Sequence, residues 1–208
     1  MSPEHIHEAR RQIEQEADPT LKNLMLASLV TAAFRNRGVE LVVVGGSAVE
    51  FYTEGRYMSG DVDLCVHPRE QSIPLRLRQE IMGGLGAEGG PRSWRVAGLF
   101  VDVLGPLESS AQTPLRRLEC PFGPISVIQP EDLIAERVLV SIYPHRNDEA
   151  RVVAKKLIGM ALEGRLGVDW VELLRVVGRP EYAVLDSLHT LVAEVAHELG
   201  VTNPLHPH

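Results

Sequence analysis

The stretch ELVVVGGSAVEFYTEGRYMSGDVDLCV, Glu40 to Val66, places an apolar run, a glycine pair, a serine and two aspartates within 27 residues. "ELVVV" is short, β-branched and closed by Gly45-Gly46, which reads as a buried strand. "SAVEFYTEG" suits a short helix, and "DVDLCV" reads as the next strand. Side chains at i and i+2 of a strand share a face, so Asp61 and Asp63 stand together while Val62 and Leu64 turn to a core. Two carboxylates this close repel unless something positive sits between them. Hard oxygen ligands suit Mg²⁺ or Mn²⁺, which commonly bind one or two carboxylates together with substrate phosphates.

A third acid, Asp102, sits in the middle of the apolar strand "LFVDVLG". If that strand neighbours "DVDLCV", three carboxylates converge, a set suited to two metal ions that activate an attacking oxygen and steady a leaving phosphate. Taken singly, Asp61 could cap its strand, Asp63 could pair with an arginine and Asp102 could mark a sheet edge. The recurrence of the same pattern three times favours a cation site. Gly45-Gly46-Ser47 lies between a strand and a helix. Glycines let backbone approach a phosphate, and a helix start offers unpaired N–H groups and a positive dipole end. The stretch is neither the GxGxxG dinucleotide fingerprint nor a Walker loop, because the glycine spacing and the Lys-Ser/Thr pair are missing.

The chain has 208 residues, 44% hydrophobic but only 5% aromatic, so aliphatic side chains must fill the core. A net charge of -7 does not suggest a protein that coats nucleic acid. Cys65 and Cys120 lack metal-ligand spacing. Cys65 reads as a small buried hydrophobe, and no disulfide is expected. The charged N-terminus has no apolar signal core and no segment reaches the roughly 20 apolar residues of a membrane span, so a cytoplasmic setting is expected.

Ser2-Pro3-Glu4 and Asp18-Pro19 each read as helix starts, the first helix running to about Ala17 and the second stopped by Gly38. "PLRLRQEIM" is helical in pattern and Gly83 to Pro91 a loop. "SWRVAGLFVDVLG" reads as a hairpin turning at Ala97-Gly98, and "GPISVI" as a further strand. From Pro130 four helices follow, the second capped by Asn147 or Asp148, the third by Asp169, the fourth opened by Pro180. The expected plan is α/β (α+β): residues 1–129 with a mixed sheet and N-terminal helices, then a helical bundle over 130–208.

A strand ending in Gly-Gly or Gly-Ser, a short helix, Asp-x-Asp on the next strand and a later third Asp resembles the nucleotidyltransferase superfamily that includes DNA polymerase beta. With Gly46-Ser47 as the small pair, 13 residues intervene before Asp61, at the long end of that superfamily's spacing. The string from Val42 to Val66 looks particularly like prokaryotic nucleotidyltransferase-like proteins, including relatives of abortive-infection toxins. The likeness covers Leu41 to Leu104 and, more weakly, "IQPEDLIAERV". It implies that Gly46 and Ser47, with Gly45 beside them, hold nucleotide phosphates, and that Asp61 and Asp63 bind metals. Asp102 would be the third ligand and the base for an incoming hydroxyl, and Arg56 and Ser59 would touch phosphate or position the loop. The implied reaction transfers a nucleotidyl group from a nucleoside triphosphate to an acceptor: a small molecule such as an aminoglycoside, a tRNA end or a protein side chain. A non-catalytic nucleotide-binding module, or a partner protein of a toxin–antitoxin pair acting through its C-terminal helices, are the alternatives; a homodimer or an antitoxin partner is possible.

Among the remaining residues, Lys155 and Lys156 read as a solvated helix face that could reach a triphosphate. Arg92 and Arg95 bracket Trp94 on a hairpin surface that could stack a base. His145, His206 and His208 read as exposed.

Overall fold

The computed structural model describes residues 1–205; His206 and His208 lie outside them. The chain divides into two compact units, Met1–Glu108 with Leu115–Ile128, and Ser109–Pro114 with the chain from Gln129 onward.

The first unit opens with α1 (Pro3–Gln15) and α2 (Pro19–Arg35). Each starts as the sequence predicts: the Ser2 side chain accepts from the His5 N–H and the Asp18 carboxylate from the Thr20 and Leu21 N–H groups, with proline in the first turn. α1 ends earlier than Ala17 because Glu16 turns extended and its own carboxylate takes the N–H groups of Ala17 and Asp18. Then come β1 (Glu40–Val43), α3 (Gly45–Tyr52), β2 (Asp61–His67), α4 (Leu75–Gly84), β3 (Glu88–Gly89), β4 (Ser93–Val96), β5 (Leu99–Pro106), β6 (Arg116–Leu118) and β7 (Ile125–Val127). The seven strands form one mixed sheet, ordered β3-β4-β5-β2-β1-β7-β6. β1 runs antiparallel to β2 and parallel to β7, β2 runs parallel to β5, and β4 and β5 form the expected hairpin. Its turn is Ala97-Gly98, both at positive φ (49° and 80°), as a two-residue hairpin loop demands.

Alternation along β2, β4 and β5 gives the sheet two unlike faces, while β1 is buried on both. Leu41, Val43, Val62, Leu64, Val66, Val101 and Val103 are all at most 4% exposed and form the core face, over which α2 packs. Asp61, Asp63 and Asp102 belong to the opposite face, with Cys65 two residues beyond Asp63. Cys65 is therefore half-buried, not the core hydrophobe expected, and neither it nor Cys120 forms a disulfide. Glu88–Gly89 makes a short strand inside what reads in sequence as a loop, and β6 has no sequence signal, being only "RRL".

The second unit holds α5 (Pro130–Ile142), α6 (Asp148–Leu162), α7 (Trp170–Val177) and α8 (Leu185–Leu199). Asn147, not Asp148, caps α6, while Asp148 pairs with Arg146 at 2.7 Å. Asp169 caps α7 as predicted. α8 starts later than Pro180, because Tyr182 and Ala183 both donate to the Arg179 carbonyl and Ala183 takes a positive φ, closing a turn before the helix begins. Two buried acids at the start of α5 are fully employed. Asp132 accepts from Ser109 Oγ and the N–H groups of Ser110 and Ala111; Glu131 accepts from Thr113 Oγ1 and the Asp169 N–H. They tie the Ser109–Pro114 segment to the helices of this unit. Among the described residues no helix is long and apolar enough to cross a membrane.

Candidate active site

The site is built on two neighbouring parallel strands. In the β2–β5 register Asp63 lies directly opposite Asp102 and Asp61 opposite Phe100. Since i and i+2 share a face, the three aspartates must meet. Each offers a carboxylate oxygen, and the three oxygens lie within 4.8 Å of one another, all partly exposed. Three carboxylates so close, with Arg92 Nε 3.8 Å from Asp102 Oδ2, form an acidic cluster that could hold hard divalent cations.

β1 delivers the glycine pair to this pocket. The Val44 N–H donates to the Asp63 carbonyl, continuing the strand pairing up to the helix start. Gly45, at φ +59°, turns the chain into α3, and a Cβ there would stand 2.8 Å from Asp63 Oδ2. A Cβ at Gly46 would stand 2.8 Å from Ser59 Oγ. No side chain caps α3, so its first N–H groups are open to an anion.

Ser47 faces the other way. It is fully buried, its hydroxyl donating to the Val44 carbonyl at 3.3 Å and accepting from the Asp63 N–H at 2.8 Å. The serine of the motif thus fixes the acidic strand against the helix start. Ser59 reaches the site through its hydroxyl, 3.3 Å from Asp61 Oδ1. Arg56 is exposed in the loop between α3 and β2.

Against known proteins, no protein-family model matches the chain, and no curated protein does. Among solved structures it is similar to an antigenic nucleotidyltransferase-like protein from Paracoccidioides brasiliensis, with a TM-score of 0.54 and 13% identity, covering 88% of this chain and 89% of that one. The fold is nucleotidyltransferase-like. A second similar structure is the antibiotic-resistance factor ANT(2'')-Ia, at a TM-score of 0.44 and 19% identity, covering 80% of this chain and 95% of that one.

On this nucleotidyltransferase-like sheet the site is also supported by a buried acid with no motif signature. Glu50 on α3 is fully buried. Its carboxylate accepts from Asn23 Nδ2 on α2 (3.3 and 3.1 Å) and from the Ser59 N–H (3.0 Å). It therefore anchors the loop whose Ser59 hydroxyl touches Asp61. The signal was present, since a lone acid inside "SAVEFY" is the same anomaly as an acid inside a strand. Glu50→Gln replaces one acceptor oxygen with a donor facing donors. It is expected to cost about 1–3 kcal/mol in a urea titration, with circular dichroism in the native baseline unchanged.

Two other residues differ from expectation. Trp94 is buried at 5% exposure, packed against Gly90, so it offers no stacking surface; β4 alternation turns Trp94 and Val96 to the core and leaves Ser93 and Arg95 outside. Lys155 is held by Glu194 and Glu198 of α8. His145 is exposed, as expected.

Proposed function

We propose that the chain is a metal-dependent nucleotidyltransferase that moves a nucleoside monophosphate from a nucleoside triphosphate to an acceptor hydroxyl. The observation that carries this reading is the convergence of Asp61, Asp63 and Asp102 beside the uncapped start of α3, on a nucleotidyltransferase-like fold.

Asp61, Asp63 and Asp102 would hold Mg²⁺ or Mn²⁺, which when bound offset the charge of the triphosphate and polarise it toward attack. The Gly45 and Gly46 backbone receives the phosphates, Gly45 being required by its positive φ and the approach of Asp63. Ser47 keeps Asp63 in place from behind, and Ser59 orients Asp61. Arg56, exposed on the same loop, can meet the outer phosphates. A carboxylate oxygen of Asp102 takes the proton of the acceptor hydroxyl. The new bond joins the acceptor oxygen to the α-phosphorus, the bond to the bridging oxygen breaks, and pyrophosphate leaves with that electron pair. The contribution of the protein is positioning and electrostatics.

Calorimetric titration with ATP, CTP, GTP and UTP, each with and without Mg²⁺, tests the reading. At least one triphosphate is expected to bind only with the cation. Absence of metal-dependent binding for all four would leave a module that has the fold without the chemistry.

A further inference from the structure

The carboxylate face of the sheet continues past the triad with side chains that the transfer step leaves unused. The strand register sets them in two rows: Asp63, Asp102 and Ser93 in one, Asp61, Phe100 and Arg95 in the other. Phe100 shares the face of Asp102 two residues away on β5, yet it is 58% exposed, a large aromatic surface left in water beside a polar pocket. Arg92 lies next to Asp102 with its side chain 66% exposed. A second guanidinium stands near it: Arg78 donates to the carbonyls of Val103 and Pro91, and burial together with the charge of Arg92 lowers the pKa of Arg78. Arg95 donates to the Gly98 carbonyl at the far end of the hairpin, while Arg92 Nε stands 3.8 Å from Asp102 Oδ2 beside the triad.

Direction follows from the strand order. The phosphate-receiving start of α3 succeeds β1, on one side of β2; Asp102, Phe100 and Arg92 lie on the other side, over β5 and β4. An acceptor whose hydroxyl reaches Asp102 while a triphosphate occupies the β1 side must lie over β5 and β4. We propose that Phe100 and Arg92, flanked by Ser93 and Arg95, form the acceptor subsite, and that the acceptor is a nucleotide whose ring stacks on Phe100, whose phosphate meets Arg92 and whose ribose hydroxyl reaches Asp102. The inference rests on the transfer reaction proposed above. Its discriminating feature is charge: a polycationic acceptor would meet guanidinium groups here, whereas an anionic ring-bearing acceptor finds both a platform and a counter-charge.

The test uses the full chain with Mg²⁺ and a saturating non-hydrolysable triphosphate. Three probes are titrated: a fluorescein-labelled single-stranded tetranucleotide by anisotropy, and adenosine monophosphate and kanamycin by calorimetry. A nucleotide probe is expected to bind and kanamycin is not. Binding of the tetranucleotide alone assigns a strand end as acceptor, and binding of the monophosphate alone assigns a free nucleotide; either supports the subsite. Phe100→Ala should weaken nucleotide binding about tenfold and Phe100→Trp should restore it. Arg92→Ala should weaken it similarly and lower its salt dependence by roughly one counterion. Phe100 is exposed, and Phe100→Ala should keep the triphosphate affinity of the wild type. The subsite is overturned if neither nucleotide probe binds, if Phe100→Ala binds as tightly as wild type, or if kanamycin is the ligand that binds. Repeating the titrations without triphosphate separates a failed triphosphate site from a failed acceptor subsite.

Discussion

Asp63→Asn is expected to lower nucleotidyl transfer by at least about a thousandfold, roughly 4 kcal/mol of transition-state stabilisation, while leaving the fold intact. The substitution keeps the shape of the side chain and the Asp63 N–H bond to Ser47, so the strand stays seated. What it removes is one of three carboxylates whose oxygens crowd within 4.8 Å. Neutralising one member keeps the side-chain shape while removing one charged ligand, so the loss falls on cation binding and transfer. A site kept for binding and not for stability should behave this way. Asp102→Asn should differ in kind. It lies on the acceptor side of the register, so triphosphate binding in Mg²⁺ should persist in part while transfer is lost. Calorimetry separates affinity from rate, and thermal melts record stability. Unchanged metal-dependent triphosphate affinity in Asp63→Asn would remove Asp63 from the cation site.

The acidic face could be read from sequence because it depends on parity alone. Asp61 and Asp63 bracket Val62, Asp102 sits between Val101 and Val103, and once β2 and β5 pair in parallel the three side chains have nowhere else to go. The hairpin over Ala97-Gly98 was legible for the same local reason. The same parity would have placed Trp94 in the core with Val96, against its reading as a surface ring. What sequence could not show was long-range. The partners of Glu50 are Asn23, 27 residues earlier, and Ser59, nine later. Ser47 points inward because the start of α3 abuts Asp63, a fact of tertiary contact and not of motif spacing. Pro180 carried a helix-start signal that a turn on the Arg179 carbonyl answered instead. β6 is held by pairing to β7, with no apolar alternation of its own to announce it.

Gly45→Ala should then show that the glycine pair and the acidic strand act as one unit. Two costs combine. At φ +59° an L side chain sits in the left-handed region, about 1–2 kcal/mol above the right-handed one. The new Cβ would also stand 2.8 Å from Asp63 Oδ2, closer than van der Waals contact, so the carboxylate must move. A urea titration is expected to record a loss of about 1–3 kcal/mol, and calorimetry a clear loss of the Mg²⁺-dependent triphosphate affinity that Phe100→Ala leaves intact. Gly46→Ala is the control. Its Cβ meets the Ser59 hydroxyl, which can rotate away, and its backbone is not at positive φ, so its stability cost should stay below about 1 kcal/mol. The decisive comparison is the double variant Gly45→Ala with Asp63→Ala. If the clash with the carboxylate is real, removing the carboxylate recovers part of the stability lost at Gly45, giving a coupling of about 1 kcal/mol. Strict additivity would mean that only the backbone conformation matters and that the glycine does not make room for the acid.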